Sequence, residues 1–452
     1  LTSTNNSIGL IYALKKILIG LMKNKKKVYV GFATDILHDG HINVLNHASK
    51  LGEVVVGLLT DKAISTYKDL PHFDYETRKN LLLKFKTVSK IIPQESLDYT
   101  KNLKLIKPHF VVHGDDWKKG VQKNTRLKVI NTLKKWSGKL VEIKYKVDLP
   151  AKNVFKIFEK GSLPDVRRSK LRRLLNAKKF VRVLEAHDGL SGLIVENSSI
   201  YKSGKIETFD AMWSSSLADS LTKGMPDDQS VDYSTRIQGL SSILDITTKP
   251  IIFDADNGGR IEHIPNLVRN LERNGVSAMI IEDKIGYKIN SLFKNQSKSK
   301  QDSIKQFSKK ISAAKNSSYS DDFMVIARIE SLILGKSVKD AIKRAQSYSK
   351  AGADAILIHS KSKHPKEIIR FSKLFEKNKF YKPLVSVPST YSKTYEKDLV
   401  KNGFRIIIYA NHLIRASYKS MSETALKILK NKRSHETENN ISKISEVLTL
   451  IK

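Results

Sequence analysis

Between Val181 and His412 the chain repeats one pattern eight times: a short apolar run that ends in polar or charged residues. The runs are VRVLEAHDG, FDAMWSSS, ITTKPIIFDAD, VSAMIIEDK, FMVIARIES, ADAILIHSK, PLVSVPS and RIIIYANH. Each is too short for an ordinary helix. Continuous rather than alternating apolar character suits a strand covered on both faces. Helical or loop segments separate the runs, so eight parallel strands alternate with helices, which describes a (β/α)8 barrel. In such barrels the chemistry sits at the C-terminal ends of the strands, where the polar tips of this chain fall.

The third run carries the strongest tip. In KPIIFDADNGG (Lys249 to Gly259) a buried strand leads into Asp254 and Asp256, and Gly258 and Gly259 allow a sharp turn beside them. Two carboxylates at that place predict a site for hard, oxygen-ligated Mg²⁺, held partly through water. A helix-capping turn is the bland alternative.

The N-terminal third has a different organisation. VYVGF (from Val28) and VVVGLLT (Val54 to Thr60) read as strands, a helix is expected from Tyr75 to Phe85, and Pro108 to Trp117 closes another strand. Strands alternating with helices predict a Rossmann-like, doubly wound parallel sheet, which binds ligands beyond the carboxyl ends of its strands. His38 and His41 lie where the first strand yields to a helix, on one side of it. Histidines there join backbone N–H groups already disposed toward phosphate.

Composition narrows the choices. A chain of 452 residues calls for more than one domain. We expect a helical extension at 1–26, a nucleotide-binding domain at 27–147, a linker at 148–166 and the barrel at 167–452. The extension is apolar, but Lys15 and Lys16 interrupt it, so no membrane span is expected. The absence of cysteine excludes disulfides and thiolate chemistry and fits a cytoplasmic setting. A net charge of +36 raises nucleic acid as a partner. Lysine is spread through every segment without an aromatic-interleaved patch, so no nucleic-acid partner is expected, and a lysine-rich proteome or steering of small anions explains the charge better. From Val166, RRSKLRRLLNAKKF reads as a basic amphipathic helix with a solvated face.

These strings carry two resemblances. From Lys170 onward, EAHDGLSGLIVE, WSSSLADS, KGMPD, IIEDKIGYKINS, VIARIES, AGADAILIHSK and YANHLIRA resemble the phosphoenolpyruvate mutases of the isocitrate lyase superfamily. The resemblance implies interconversion of phosphoenolpyruvate and 3-phosphonopyruvate. It implies Trp213, Ser215 and Leu217 as the pocket floor that holds the substrate carboxylate, and Asp227 beside the substrate. Asp254, Asp256 and Glu282 would organise Mg²⁺, while Arg328 and His359 face the phosphoryl group. Lys288 and Asn290, on a gating loop (284–291) that Gly286 can hinge, would donate to phosphoryl oxygens. A dimer or tetramer that exchanges the last barrel helix is also implied. A phosphonopyruvate hydrolase is the alternative; the carbon–carbon lyases of this scaffold use a cysteine that this chain lacks.

Val28 to Lys144 resembles the cytidylyltransferases of the HxGH nucleotidyltransferase superfamily. The resemblance implies that Asp35, His38 and His41 contact CTP phosphates and that Lys68 neutralises them. Arg78 falls in a YETRK segment, and Gly114, Asp115, Asp116 and Trp117 line the nucleotide pocket. The family's later GIST-like motif is missing: Lys144 to Lys156 has no Gly, Ser or Thr. We therefore expect CTP binding with little or no CMP transfer. The alternative is a bifunctional enzyme acting on 2-hydroxyethylphosphonate or 2-aminoethylphosphonate.

Overall fold

The computed structural model describes residues 26–118, 122–144, 163–202, 205–286, 288–291, 293, 296 and 299–450. All but the last residue of the expected 1–26 extension, residues 148–162 of the linker and residues 145–156, where the GIST-like motif is missing, lie outside them. The chain divides into two compact units.

The first unit is a five-stranded, all-parallel sheet in the order β3-β2-β1-β4-β5. The strands are β1 (Lys27–Phe32), β2 (Glu53–Leu59), β3 (Lys90–Gln94), β4 (Phe110–Gly114) and β5 (Lys139–Ile143). Central β1 and β2 bury nearly every residue, because both of their faces are covered. Edge strands β3 and β5 are mostly half-exposed, and β3 contains Pro93, which an edge tolerates because its missing N–H breaks no inner ladder. Helix α1 (Asp39–Leu51) starts where His38 Nδ1 accepts the N–H of Gly40 at 3.1 Å. Helix α2 (Tyr75–Leu82) is capped by Asp74, which accepts from Thr77 N at 2.8 Å. It stops short of the expected Phe85, because the N–H groups of Lys84 and Phe85 turn back to carbonyls three residues earlier. Two further helices are α3 (Thr100–Ile106) and α4 (Lys123–Leu133).

The second unit is a closed parallel barrel. Its strands are β6 (Val181–Glu185), β7 (Ala211–Ser214), β8 (Ile251–Asp254), β9 (Ala278–Glu282), β10 (Met324–Ile329), β11 (Ala355–Ile358), β12 (Leu384–Ser386) and β13 (Phe404–Tyr409). They follow one another around the barrel in chain order, and β13 closes onto β6. Every residue of β8 and β9 is buried, as the apolar runs require. Phe253, Met279, Ile281, Val325, Ile356 and Ile407 belong to one continuous core.

One expectation needs correction. The basic helix, here α5 (Pro164–Ala177), does not present its first arginines to solvent: Arg167 and Arg168 are buried. Arg167 donates to the carbonyls of Leu244 and Thr247, and Arg168 donates to that of Glu272 at 3.0 Å. Leu244 ends helix α6 (Tyr233–Leu244), and Glu272 lies in the last turn of helix α7 (Ile264–Arg273). Carbonyls at helix ends lack intrahelical donors, so a guanidinium can satisfy them while its stem packs inside.

Candidate functional sites

Parallel pairing brings the barrel's polar tips to one end. Glu282 and Arg328 are direct neighbours across β9 and β10, and Asp254, the last residue of β8, pairs with Ile280 of β9. A single cavity is lined by Trp213, Ser215, Leu217, Asp227, Asp254, Asp256, Glu282, Lys288, Asn290, Arg328 and His359. All eleven barrel residues expected from the sequence therefore meet in one place.

The cavity's charges are interlocked. Ser216 donates its hydroxyl to Asp254 at 3.0 Å, and the Asp256 N–H reaches the other Asp254 oxygen at 3.2 Å. Asp256 adopts a left-handed backbone (φ +47°), which is uncommon for a non-glycine residue and costs energy. Gly258 follows at φ +77°, and a Cβ there would press on Ile281 at 3.2 Å, so the turn needs glycine. Behind the turn, Arg236 is buried against the Phe253 ring. It donates to Asp219 at 2.9 Å and to the Asp254 carbonyl at 2.6 Å.

Lys288 lies 2.5 Å from Asp227, 2.5 Å from Asp256 and 2.9 Å from the Ser216 hydroxyl. Asn290 donates to the other Asp227 oxygen at 3.0 Å. Both loop residues thus reach into the cavity rather than into solvent. Burial pushes Asp256 upward, with Asp254 adding to it, and burial likewise raises Glu282. Burial works against ionised Asp254 as well, but Arg328 and then Lys288 hold it below the usual carboxylate range. Burial, with Arg328 beside it, pushes His359 below the usual imidazole range. The indole N–H of Trp213, which the cavity borders, is buried without a hydrogen-bond partner. It is available to a ligand acceptor.

Sequence reasoning missed Ser216, Lys284, Ser291 and Glu330. Ser291 and Lys284 line the cavity, and Glu330 joins Arg328, His359 and Ser291 behind it. A signal for Glu330 existed, since the two-residue strand period puts it on the same side as Arg328.

The first unit's cavity, about 260 Å³, opens beyond the carboxyl ends of β1 and β4. The order of strands reverses between these two, which is where open α/β sheets bind ligands. Asp35, His38, His41, Lys68, Gly114 and Asp116 line it; Arg78, Asp115 and Trp117 do not. Arg78 is buried and donates to the carbonyls of Phe73 at 3.1 Å and Leu59 at 3.0 Å and to Asp61 at 2.8 Å, tying loops together. Trp117 is buried, stacks on His113 with ring centroids 3.7 Å apart, and donates to Glu142 at 2.7 Å. Asp35 lines the cavity, but its carboxylate also accepts from the N–H groups of His72 at 2.7 Å and Phe73 at 3.0 Å. The His38 and His41 rings lie 3.9 Å apart. Burial, followed by the nearby His38 and Lys68, drives His41 down to about 3. His113, Tyr99 and Thr34 also line the cavity and were not anticipated.

A family model described as phosphoenolpyruvate phosphomutase matches residues 171–429, more than half of the chain. The chain belongs to the phosphoenolpyruvate phosphomutase family. It is an enzyme. A second model, cytidylyltransferase-like, matches residues 32–181. A phosphoenolpyruvate phosphomutase from Tetrahymena pyriformis is 34% identical over 283 residues, which cover 62% of this chain and 90% of that protein. A solved phosphoenolpyruvate phosphomutase from Streptomyces platensis subsp. rosaceus is 33% identical with a TM-score of 0.58, over 63% of this chain and 94% of its own. A phosphonopyruvate hydrolase solved with oxalate and Mg²⁺ is 31% identical with a TM-score of 0.55, over the same 63% and 94%. Among the described residues, no helix is long and apolar enough to cross a membrane.

Proposed function

We propose that the barrel interconverts phosphoenolpyruvate and 3-phosphonopyruvate. The observation that carries this reading is the set of donors around one cavity: Lys288, Asn290, Arg328 and His359 on one side, with Asp227 and the Asp254–Asp256 turn facing them. In the forward direction the P–O bond of phosphoenolpyruvate breaks and leaves pyruvate enolate. The phosphoryl group then bonds to the enolate's methylene carbon, so no atom is gained or lost. Such a transfer needs no proton shuttle. It needs donors on a metaphosphate-like group and exclusion of water. Lys288 and Asn290 supply donors from the loop, and Arg328 and His359 supply them from strand ends. Among the described residues, no three acidic or histidine groups converge tightly enough to hold a metal by themselves. Asp254, Asp256 and Glu282 nonetheless border the cavity with hard oxygen donors, which fits Mg²⁺ held partly through water. When bound, the ion would supply charge stabilisation to the enolate oxygen. Asn290 favours the mutase, because hydrolases of this scaffold differ at that loop position.

Phosphonopyruvate hydrolase stays as the second reading because a solved member of that class is almost as similar as the solved mutase. Phosphorus NMR of the protein with phosphonopyruvate and Mg²⁺ separates the two. A phosphoenolpyruvate signal means mutase, free phosphate means hydrolase, and an unchanged spectrum defeats both. For the first unit we propose CTP binding at the β1/β4 cavity with little CMP transfer, which calorimetry should detect and His41→Ala should remove. Pyrophosphate release with a phosphonate acceptor would establish the bifunctional alternative. Helix α8 (His412–Asn431) buries only Ile414 among its 20 residues, which supports exchange of this helix within a dimer or tetramer. A cytoplasmic setting, without nucleic-acid partners, completes the reading.

A further inference from the structure

Glu330 is completely buried, yet four polar side chains from two parts of the site converge on it. Its Oε1 accepts from Arg328 Nε at 2.6 Å and lies 3.0 Å from His359 Nδ1. Its Oε2 accepts the Ser291 hydroxyl at 2.6 Å, and Lys284 stands 3.7 Å away. Ser291 also accepts from Arg328 at 2.9 Å and from Lys284 at 2.9 Å, so the contacts form a closed ring. Ser291 and Lys284 belong to the loop that carries Lys288 and Asn290. Arg328 and His359 belong to the rigid strand ends.

The backbone extends the connection. The Glu330 N–H donates to Asp283 Oδ1 at 2.9 Å, and the other Asp283 oxygen accepts from Gln301 at 2.9 Å, Arg344 at 3.0 Å and Tyr348 at 2.7 Å. Gln301 lies on the returning strand of the loop, paired with Lys284. Two adjacent buried carboxylates therefore hold both stems of the loop. Burial works against a charged Glu330, but Arg328 and then His359 pull its carboxyl well below the ordinary range, so it stays an anion.

We propose that Glu330 is a positioning residue that couples the loop to the phosphoryl-facing pair: one oxygen orients Arg328 and His359, and the other engages Ser291 when the loop is closed. A buried anion stripped of one donor is costly, so loss of the Ser291 contact disturbs the Arg328 side of the ring. Loop closure and cation placement thus occur together. The catalytic part of this inference rests on the mutase reading; the loop coupling does not.

The test uses Glu330→Gln, Ser291→Ala and the double variant of the full chain. A neutral amide cannot accept on both sides, so Glu330→Gln should lower kcat by about ten- to a hundred-fold, with KM changing less than about threefold. Ser291→Ala should lower kcat less, and the double variant should match Glu330→Gln rather than multiply the two losses. Hydrogen exchange of residues 284–291, measured without substrate, should quicken in both single variants. Losses that multiply, a change confined to KM, or unaltered exchange in Ser291→Ala would overturn the coupling. If Glu330→Gln fails to fold, Ser291→Ala alone decides: slower turnover with faster loop exchange supports the proposal, and neither change refutes it. Absence of turnover in the unaltered chain would count against the mutase reading only, since the exchange measurement still tests the ring.

Discussion

The two cavities stand on equivalent edges of parallel sheets, but they use their motif residues differently. In the barrel, residues from Trp213 to His359, far apart in sequence, all line one cavity. In the N-terminal sheet the motif residues divide. Asp35, His38, His41, Lys68, Gly114 and Asp116 line the cavity, while Arg78 and Trp117 are buried in the scaffold behind it. The contrast teaches that a local motif can owe its composition to folding as much as to ligand. YETRK places an arginine where three loops need tying, whereas residues brought together from the ends of β7 to β11 have no common local task.

The largest effect should come from removing the barrel's central carboxylate. Asp254→Ala is expected to abolish turnover while thermal unfolding of the barrel changes little, since strand-end residues serve the site more than the core. Full activity with Mg²⁺ would remove Asp254 from the site. Arg78→Met sharpens the other half of the comparison. It should destabilise the first unit by about 3 kcal/mol, because it breaks a buried, multiply bonded ion pair, and should leave barrel turnover intact. A variant of unchanged stability that has lost CTP binding would return Arg78 to the ligand site.

On the proposed mutase chemistry the Asn290 amide would act on the transferring group, so Asn290→Ala should raise the barrier by about 2 to 4 kcal/mol in kcat. An effect seen only in KM would contradict that role. The smallest effect concerns His41, whose folded value is pushed down to about 3, against an ordinary value near 6.5. Because the folded value is depressed, this group's contribution is complete above about pH 6.5 and is lost as pH falls toward 3. By pH 5 the first unit should lose about 2 kcal/mol, and His41→Asn should flatten that part of the profile. An unchanged slope would mean that His41 is more solvated than its surroundings indicate.

Legibility followed burial. All eight barrel strands could be read because residues covered on both faces must be apolar without interruption, as in β8 and β9. Strands β3 and β5 went unread, since edge positions expose Lys90, Pro93 and Lys139 and break the pattern. The buried Arg167 and Arg168 were misjudged for a related reason: their charge is matched by helix-end carbonyls more than 70 residues away in the chain, which no local pattern reports. At the site, residues carried by long motifs were legible. Ser216, Ser291 and Glu330 lie in the same motifs yet were not singled out, because their work is to bond other side chains, and only the folded barrel shows which ones.

The central claim is that the barrel moves a phosphoryl group between oxygen and carbon inside a cavity closed to water. Incubating the protein with phosphonopyruvate and Mg²⁺ in ¹⁸O-enriched water tests it most directly. Phosphoenolpyruvate whose phosphoryl oxygens carry no label is the expected product. Inorganic phosphate containing one ¹⁸O per molecule would show that water reaches the phosphoryl group and that the site is a hydrolase.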